Sequence, residues 1–131
     1  MNPDFLTVDD VLIIYEDQIN QFGGSFGLRD RALLESAIAQ PQISFDGIFV
    51  HIDLFQMAAS YLYHLTSNHP FVDGNKRIGL AAALVFLEIN GIEILKGTDE
   101  LYELTMRVAC GAVNKQEVAI ALRSLSDQLT R

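Results

Sequence analysis

Near the N-terminus apolar residues recur every three or four positions, so that Val8, Leu12, Tyr15, Ile19 and Phe22 fall on one face of a predicted helix. Thr7 with Asp10 supplies an N-cap and an acidic first turn, and Gly23-Gly24 ends the element. A second helix, RALLESAIAQ, is capped by Asp30 and stops before Pro41. The connection between them, GGSFGL, has three glycines but no following Lys-Ser/Thr, and reads as a tight connection rather than a phosphate loop. At residues 43–50 the period changes. ISFDGIFV sets Asp46-Gly47 between β-branched and aromatic residues, the composition of a two-residue hairpin turn. A lone hairpin is marginal in water and is expected to lie on the helical body. Its free edge can accept an extended peptide, although spacing alone favours a plain connector.

The helical period returns in residues 52–68, where Leu54, Ala58, Tyr61, Leu62 and Leu65 form a stripe that Asn68-His69-Pro70 must break. The next helix begins near Asn75, is apolar nearly all round from Ile78 to Ile89, and stops at Asn90-Gly91. That pattern predicts the central element of an all-helical domain. After a short extended piece, IEIL, Thr98 is expected to cap DELYELTMRVAC, which Gly111 ends; Asn114 with Glu117 then caps KQEVAIALRSLSDQL. The sum is an all-α single domain over 1–131, about six helices with one small hairpin, and no repeat or linker divides it.

Composition adds limits. With 131 residues, half of them hydrophobic, one core can remove about two thirds of the unfolded surface from water. The single cysteine, Cys110, excludes an internal disulfide, suits a reducing cytoplasm and is expected to pack as a small apolar residue. No leader or membrane span is legible, because Glu88 and Asn90 interrupt the longest apolar run. The net charge of −8 opposes general attraction to nucleic acid.

Against that acidic background HPFVDGNKR, residues 69–77, places Lys76 and Arg77 at a helix start, where the backbone dipole already concentrates positive charge. The conflict disappears if an anion binds there. Gly74 would let successive N–H groups around Asn75 and Lys76 converge on one spot, and Lys76 and Arg77 would pair with phosphate oxygens. Asp73 could hold a magnesium ion bridging phosphates, and His69, beyond the rigid Pro70, could take a proton from an attacking hydroxyl. Phe71 is most simply an anchor that buries the loop. Each residue alone has an ordinary reading as turn, loop or solvated charge; together within nine residues they favour a nucleotide site. His51 and His64 lack such company and are assigned to surface or boundary roles, and Arg29 with Asp30 to a structural pair or cap.

HPFVDGNKR resembles the signature of the Fic/Doc proteins, H-P-F-x-D/E-G-N-x-R, and the helical layout with a hairpin before the motif helix is similar across nearly the whole chain. The resemblance implies His69 as general base, Asp73 as the magnesium ligand, Gly74 and Asn75 in the phosphate nest, Arg77 on phosphate and Phe71 as the loop anchor. It also makes the hairpin a flap, residues Ile43, Ser44, Phe45, Asp46, Gly47, Ile48 and Phe49, that aligns a protein target by strand addition. Members that transfer AMP commonly carry Gly after the motif Asn. Lys76 is instead similar to the Doc-type toxins, which phosphorylate a threonine of translation elongation factor Tu. A long cation there is expected to favour a reversed nucleotide that presents its γ-phosphorus. Doc-type toxins have Ala in place of Gly74 and lack Pro70, so the likeness is to the wider Doc-like subgroup. The implied function is a toxin that moves the γ-phosphate of ATP to a protein hydroxyl and arrests translation. The alternatives are an AMP transferase using the same site and a non-catalytic nucleotide-binding module. No Glu stands in the self-inhibitory pattern S/T-x-x-x-E-G/N, so control is expected in trans, from an antitoxin of Phd type with a disordered segment that folds on binding.

Overall fold

The computed structural model of the chain describes residues 2–129. Among the described residues there are six α-helices: α1 (Val8–Phe22), α2 (Arg31–Ala39), α3 (Leu54–Asn68), α4 (Asn75–Ile89), α5 (Thr98–Ala109) and α6 (Lys115–Leu129). The hairpin β1 (Ser44–Phe45) and β2 (Ile48–Phe49) follows α2 and a 3-10 turn at Gln40–Gln42. The all-α class and the hairpin are as expected. Among the described residues no helix is long and apolar enough to cross a membrane.

Capping chemistry sets most helix starts. Thr7 Oγ1 accepts the Asp10 N–H at 3.1 Å, and the Asp10 carboxylate accepts the Thr7 N–H at 2.8 Å. Asp30 caps α2 through the Leu33 N–H, and Asn114 with Glu117 forms the reciprocal pair at α6. α3 is capped by Asp53, which no pattern in the sequence singled out. At α5 the expectation fails: the cap position is Gly97, in a left-handed conformation with no side-chain bond, and Thr98 is already helical. Leu125 of α6 fills the space a side chain at 97 would need. α2 itself stops at Ala39, before Pro41 as expected, and the 3-10 turn at Gln40–Gln42 takes the proline early, where its missing N–H leaves no bond unmade.

Three expectations about burial are also corrected. On α1 the buried stripe is Val11, Tyr15 and Ile19, a strict four-residue spacing, while Phe22 is 65% exposed beyond the packed turns. The helix enclosed by its neighbours is α3 rather than α4. It packs against α2, α4, α5 and α6 and buries Met57, Ala58, Ala59, Tyr61, Leu62 and Leu65. α4 buries one face, Ile78, Gly79, Ala82, Ala83, Phe86 and Leu87, and leaves a flank of half-buried apolar residues. α3 and α4 meet closely at Gly79, where a methyl group would lie 2.5 Å from Thr66 Oγ1 and 3.0 Å from the Leu62 carbonyl oxygen. Cys110 is exposed at the end of α5 instead of packed, because it lies past the last buried turn.

The hairpin pairs Ser44 with Phe49 and Phe45 with Ile48. Asp46 and Gly47 both take positive φ, 54° and 78°, as a tight turn matched to strand twist requires. One side chain joins it to the core: Phe49 meets Phe5 edge-on at 5.5 Å, and Phe5 stacks on Phe86. Phe45 and Ile48 project into solvent.

Candidate functional site

α3 ends at Asn68, and residues 69–74 turn the chain into α4. His69 is the C-cap, exposed and held in a left-handed conformation with φ 49° and ψ 53°. Such a conformation is strained for a side chain with a Cβ and persists where the surroundings hold it. Pro70 and Phe71, next to it, are buried, and the Phe71 ring stacks on Tyr15 with centroids 4.1 Å apart. The Asn75 side chain closes the turn: its Oδ1 accepts the Phe71 N–H and its Nδ2 donates to the Phe71 carbonyl, both at 3.0 Å. That amide is committed to the loop, so what Asn75 can offer an anion is its backbone N–H.

Gly74 precedes α4 with no side-chain cap, and the first N–H groups of a helix have no partner within it. They and the helix dipole face the loop, the arrangement of an anion site. Asp73 Oδ1 accepts the Gly74 N–H at 2.8 Å, and its Oδ2 meets the Ser25 N–H at 3.3 Å. Arg77 Nη2 donates to the Gly23 carbonyl at 2.8 Å. Among the described residues the ion pairs are Arg31–Glu35 and Arg123–Asp53, so neither Lys76 nor Arg77 is paired with a carboxylate. Both line an open cleft of about 740 Å³ between α1, α4 and α5, whose apolar lining includes Phe22, Leu80, Tyr102 and Met106. Among the described residues no three His, Cys, Asp or Glu gather to hold a metal. Asp73 is a single exposed carboxylate beside open backbone donors, a set that fits magnesium when phosphate oxygens and water complete its shell.

His69, Asp73, Gly74, Asn75, Lys76 and Arg77 thus follow one another along one short turn, in which Asp73 and Arg77 are bonded to neighbouring backbone groups at Ser25 and Gly23. The hairpin exposes two apolar side chains, Phe45 and Ile48, and carries no cation. Sequence reasoning missed Arg29, whose Nε donates to the His69 carbonyl at 2.7 Å and whose Nη2 donates to the Asn68 carbonyl at 3.0 Å. No spacing signal reports a contact across 40 residues.

His64 is half-buried, with Lys115 Nζ 3.2 Å from its Nε2, so the neutral ring accepts from the ammonium. Burial, then Lys115, then His51, push its pKa from 6.5 down to about 4. Burial and Lys115 also lower His51, against a hydrogen bond that the ring donates to the Gln40 backbone, which raises it. The unfolded chain therefore binds protons that the folded chain refuses. The stabilisation is complete above the unfolded value of 6.5 and is lost as pH falls from there toward about 4. In urea titrations at a series of pH values the midpoint should fall across this window, and His64→Gln should flatten the fall. Parallel curves for the two proteins would assign the slope to other groups.

The Fic/DOC family model matches residues 5–87. The chain is 44% identical over 78 residues to the Toxin Doc of Mycolicibacterium smegmatis, a match that spans 60% of each chain. It is 32% identical over 122 residues to the Protein kinase doc of Escherichia phage P1, covering 92% of this chain and 94% of that one.

Proposed function

From the premise that this chain belongs to the Fic/Doc family, we propose that it is a Doc-like toxin that transfers the γ-phosphate of ATP to a hydroxyl of a protein target. The observation that carries the reading is the pair of cations, Lys76 and Arg77, that have no carboxylate partner among the described residues and stand at the uncapped start of α4, in the same short turn as His69 and Asp73. The open N–H groups of α4 with Lys76 and Arg77 hold the phosphate oxygens through charge-assisted hydrogen bonds. His69 takes the proton of the target hydroxyl as its oxygen bonds to the γ-phosphorus. The bond from that phosphorus to the β–γ bridging oxygen breaks, and ADP leaves with the electron pair on that oxygen. Magnesium, when bound at Asp73, supplies charge that offsets the negative charge gathering on the leaving diphosphate.

Phe71 anchors the loop, and the edge of the hairpin, Phe45 and Ile48, takes an extended target segment by strand addition. Elongation factor Tu is the first target to test. Control comes from an antitoxin of Phd type whose disordered segment folds into the cleft between α1, α4 and α5. Apolar walls with two cations at one end suit an amphipathic segment that carries a carboxylate. Recovery of the chain alone, fully active and harmless to its host, would count against that partner.

The discriminating experiment offers the purified protein magnesium, elongation factor Tu and ATP labelled at either the α or the γ phosphate, and repeats it in a bacterial lysate. Label retained from γ alone is the expected result, and Lys76→Gly should then admit label from α. Label from α in the unaltered protein would make it an AMP transferase and remove the role given to Lys76.

A further inference from the structure

The segment 23–30 between α1 and α2 is more than a connection. The Gly23 carbonyl takes Arg77, and the Ser25 N–H reaches Asp73. Gly27 O accepts the Val72 N–H at 2.9 Å, and Leu28 pairs with Phe71 in an isolated antiparallel bridge. The N–H groups of Arg29 and Asp30 converge on the Pro70 carbonyl at 2.7 and 3.0 Å, while the Arg29 guanidinium holds the carbonyls of Asn68 and His69. Residues 68–73 and Arg77 are therefore each bonded or paired to this segment. Tyr15 ties the two layers together, since its hydroxyl accepts the Gly27 N–H at 2.6 Å and its ring stacks on Phe71.

We infer that residues 23–30 are the positioning half of the site, with Arg29 fixing the direction of His69 and Gly24 fixing the separation of Asp73 and Arg77. The inference rests on the phosphotransfer reading for its kinetic consequences and on geometry alone for its structural ones. Arg29 binds the carbonyls at the C-terminal end of α3, where a helix leaves them without partners and where a cation is favoured. A guanidinium presents its donors in a rigid fork, so it sets the orientation of both peptide groups. His69 is exposed and its backbone is strained, so the peptide that Arg29 grips directs the imidazole. Gly24 works by close approach. With φ +122°, a methyl group there would sit 2.9 Å from Asp73 Oδ2 and 3.1 Å from Arg77 Nη2. Any side chain at 24 must drive the carboxylate and the guanidinium away from their places.

The two residues act on different groups, so their variants should separate. Arg29→Ala should lower kcat for phosphate transfer by about 10²-fold, the loss typical of a misplaced reacting group, with KM for ATP unchanged. Added methylguanidinium should restore part of that loss. Gly24→Ala should raise KM for ATP about tenfold or more and weaken ATP–magnesium binding in calorimetry, with the smaller change in kcat. Independently of activity, Arg29→Ala should shift and broaden the NMR signal of the His69 ring C2–H, and Gly24→Ala should leave it in place. If neither variant transfers phosphate to any target, the ring signal and the calorimetry still decide the inference. It is overturned if Arg29→Ala leaves the His69 signal untouched. It is also overturned if both variants act in parallel on kcat, KM and melting temperature, as a merely structural loop would.

Discussion

His69→Ala is expected to lower phosphate transfer by ~10²–10⁴-fold, the range that a positioned general base contributes. The protein should stay folded. The imidazole is exposed, and alanine meets the same left-handed backbone that histidine already occupies, so stability should change by no more than about 0.5 kcal/mol. ATP affinity should also survive, because Lys76, Arg77 and the open N–H groups of α4 are untouched. The measurement is the rate of label transfer from γ-labelled ATP beside a thermal melt and a calorimetric titration with ATP and magnesium. A rate that falls while the melt and the titration hold would assign the proton transfer to His69. Growth arrest that persists undiminished in the variant would favour a module that binds nucleotide and does no chemistry.

How much of this is legible in the sequence depends on the range over which each interaction acts. Caps are local, so Thr7–Asp10, Asp30 and Asn114–Glu117 can be read directly. The Asp46-Gly47 turn is local as well, because its conformation is set within two residues. The loop 69–77 is legible because its chemistry is concentrated in nine consecutive residues. Burial is less so, since the inward face of an amphipathic helix depends on which neighbours arrive: Phe22 satisfies the period of α1 but lies beyond its packed turns and lines the cleft instead. α4 looks more central than α3 because apolar residues that line a cleft read like core. Least legible is everything tertiary, with Arg29 the clearest case. Next to a capping aspartate it suggests a local pair, whereas its guanidinium reaches carbonyls 39 and 40 residues away.

That long-range layer is held by an aromatic stack, and Phe71→Ala should therefore give the largest loss of stability. Phe71 is 1% exposed, and truncating a buried phenylalanine typically removes about 3–5 kcal/mol through lost transfer energy and the cavity left behind. A domain of this size has only about 5–15 kcal/mol in all, so the variant would stand near its folding limit. The loss is not only volume. Phe71 lies flat on Tyr15, an arrangement worth about 0.5–1.5 kcal/mol beyond area burial, and Tyr15 fixes the segment that grips the loop. Phe71→Leu separates the contributions: it keeps most of the apolar volume and loses the stack. Urea denaturation should place it well above Phe71→Ala and below the unaltered protein. If Phe71→Leu matched the unaltered protein in stability but had lost transfer activity, the ring would matter for the shape of the loop alone. If both variants were equally unstable, the stack would outweigh the buried volume in holding the loop to the core.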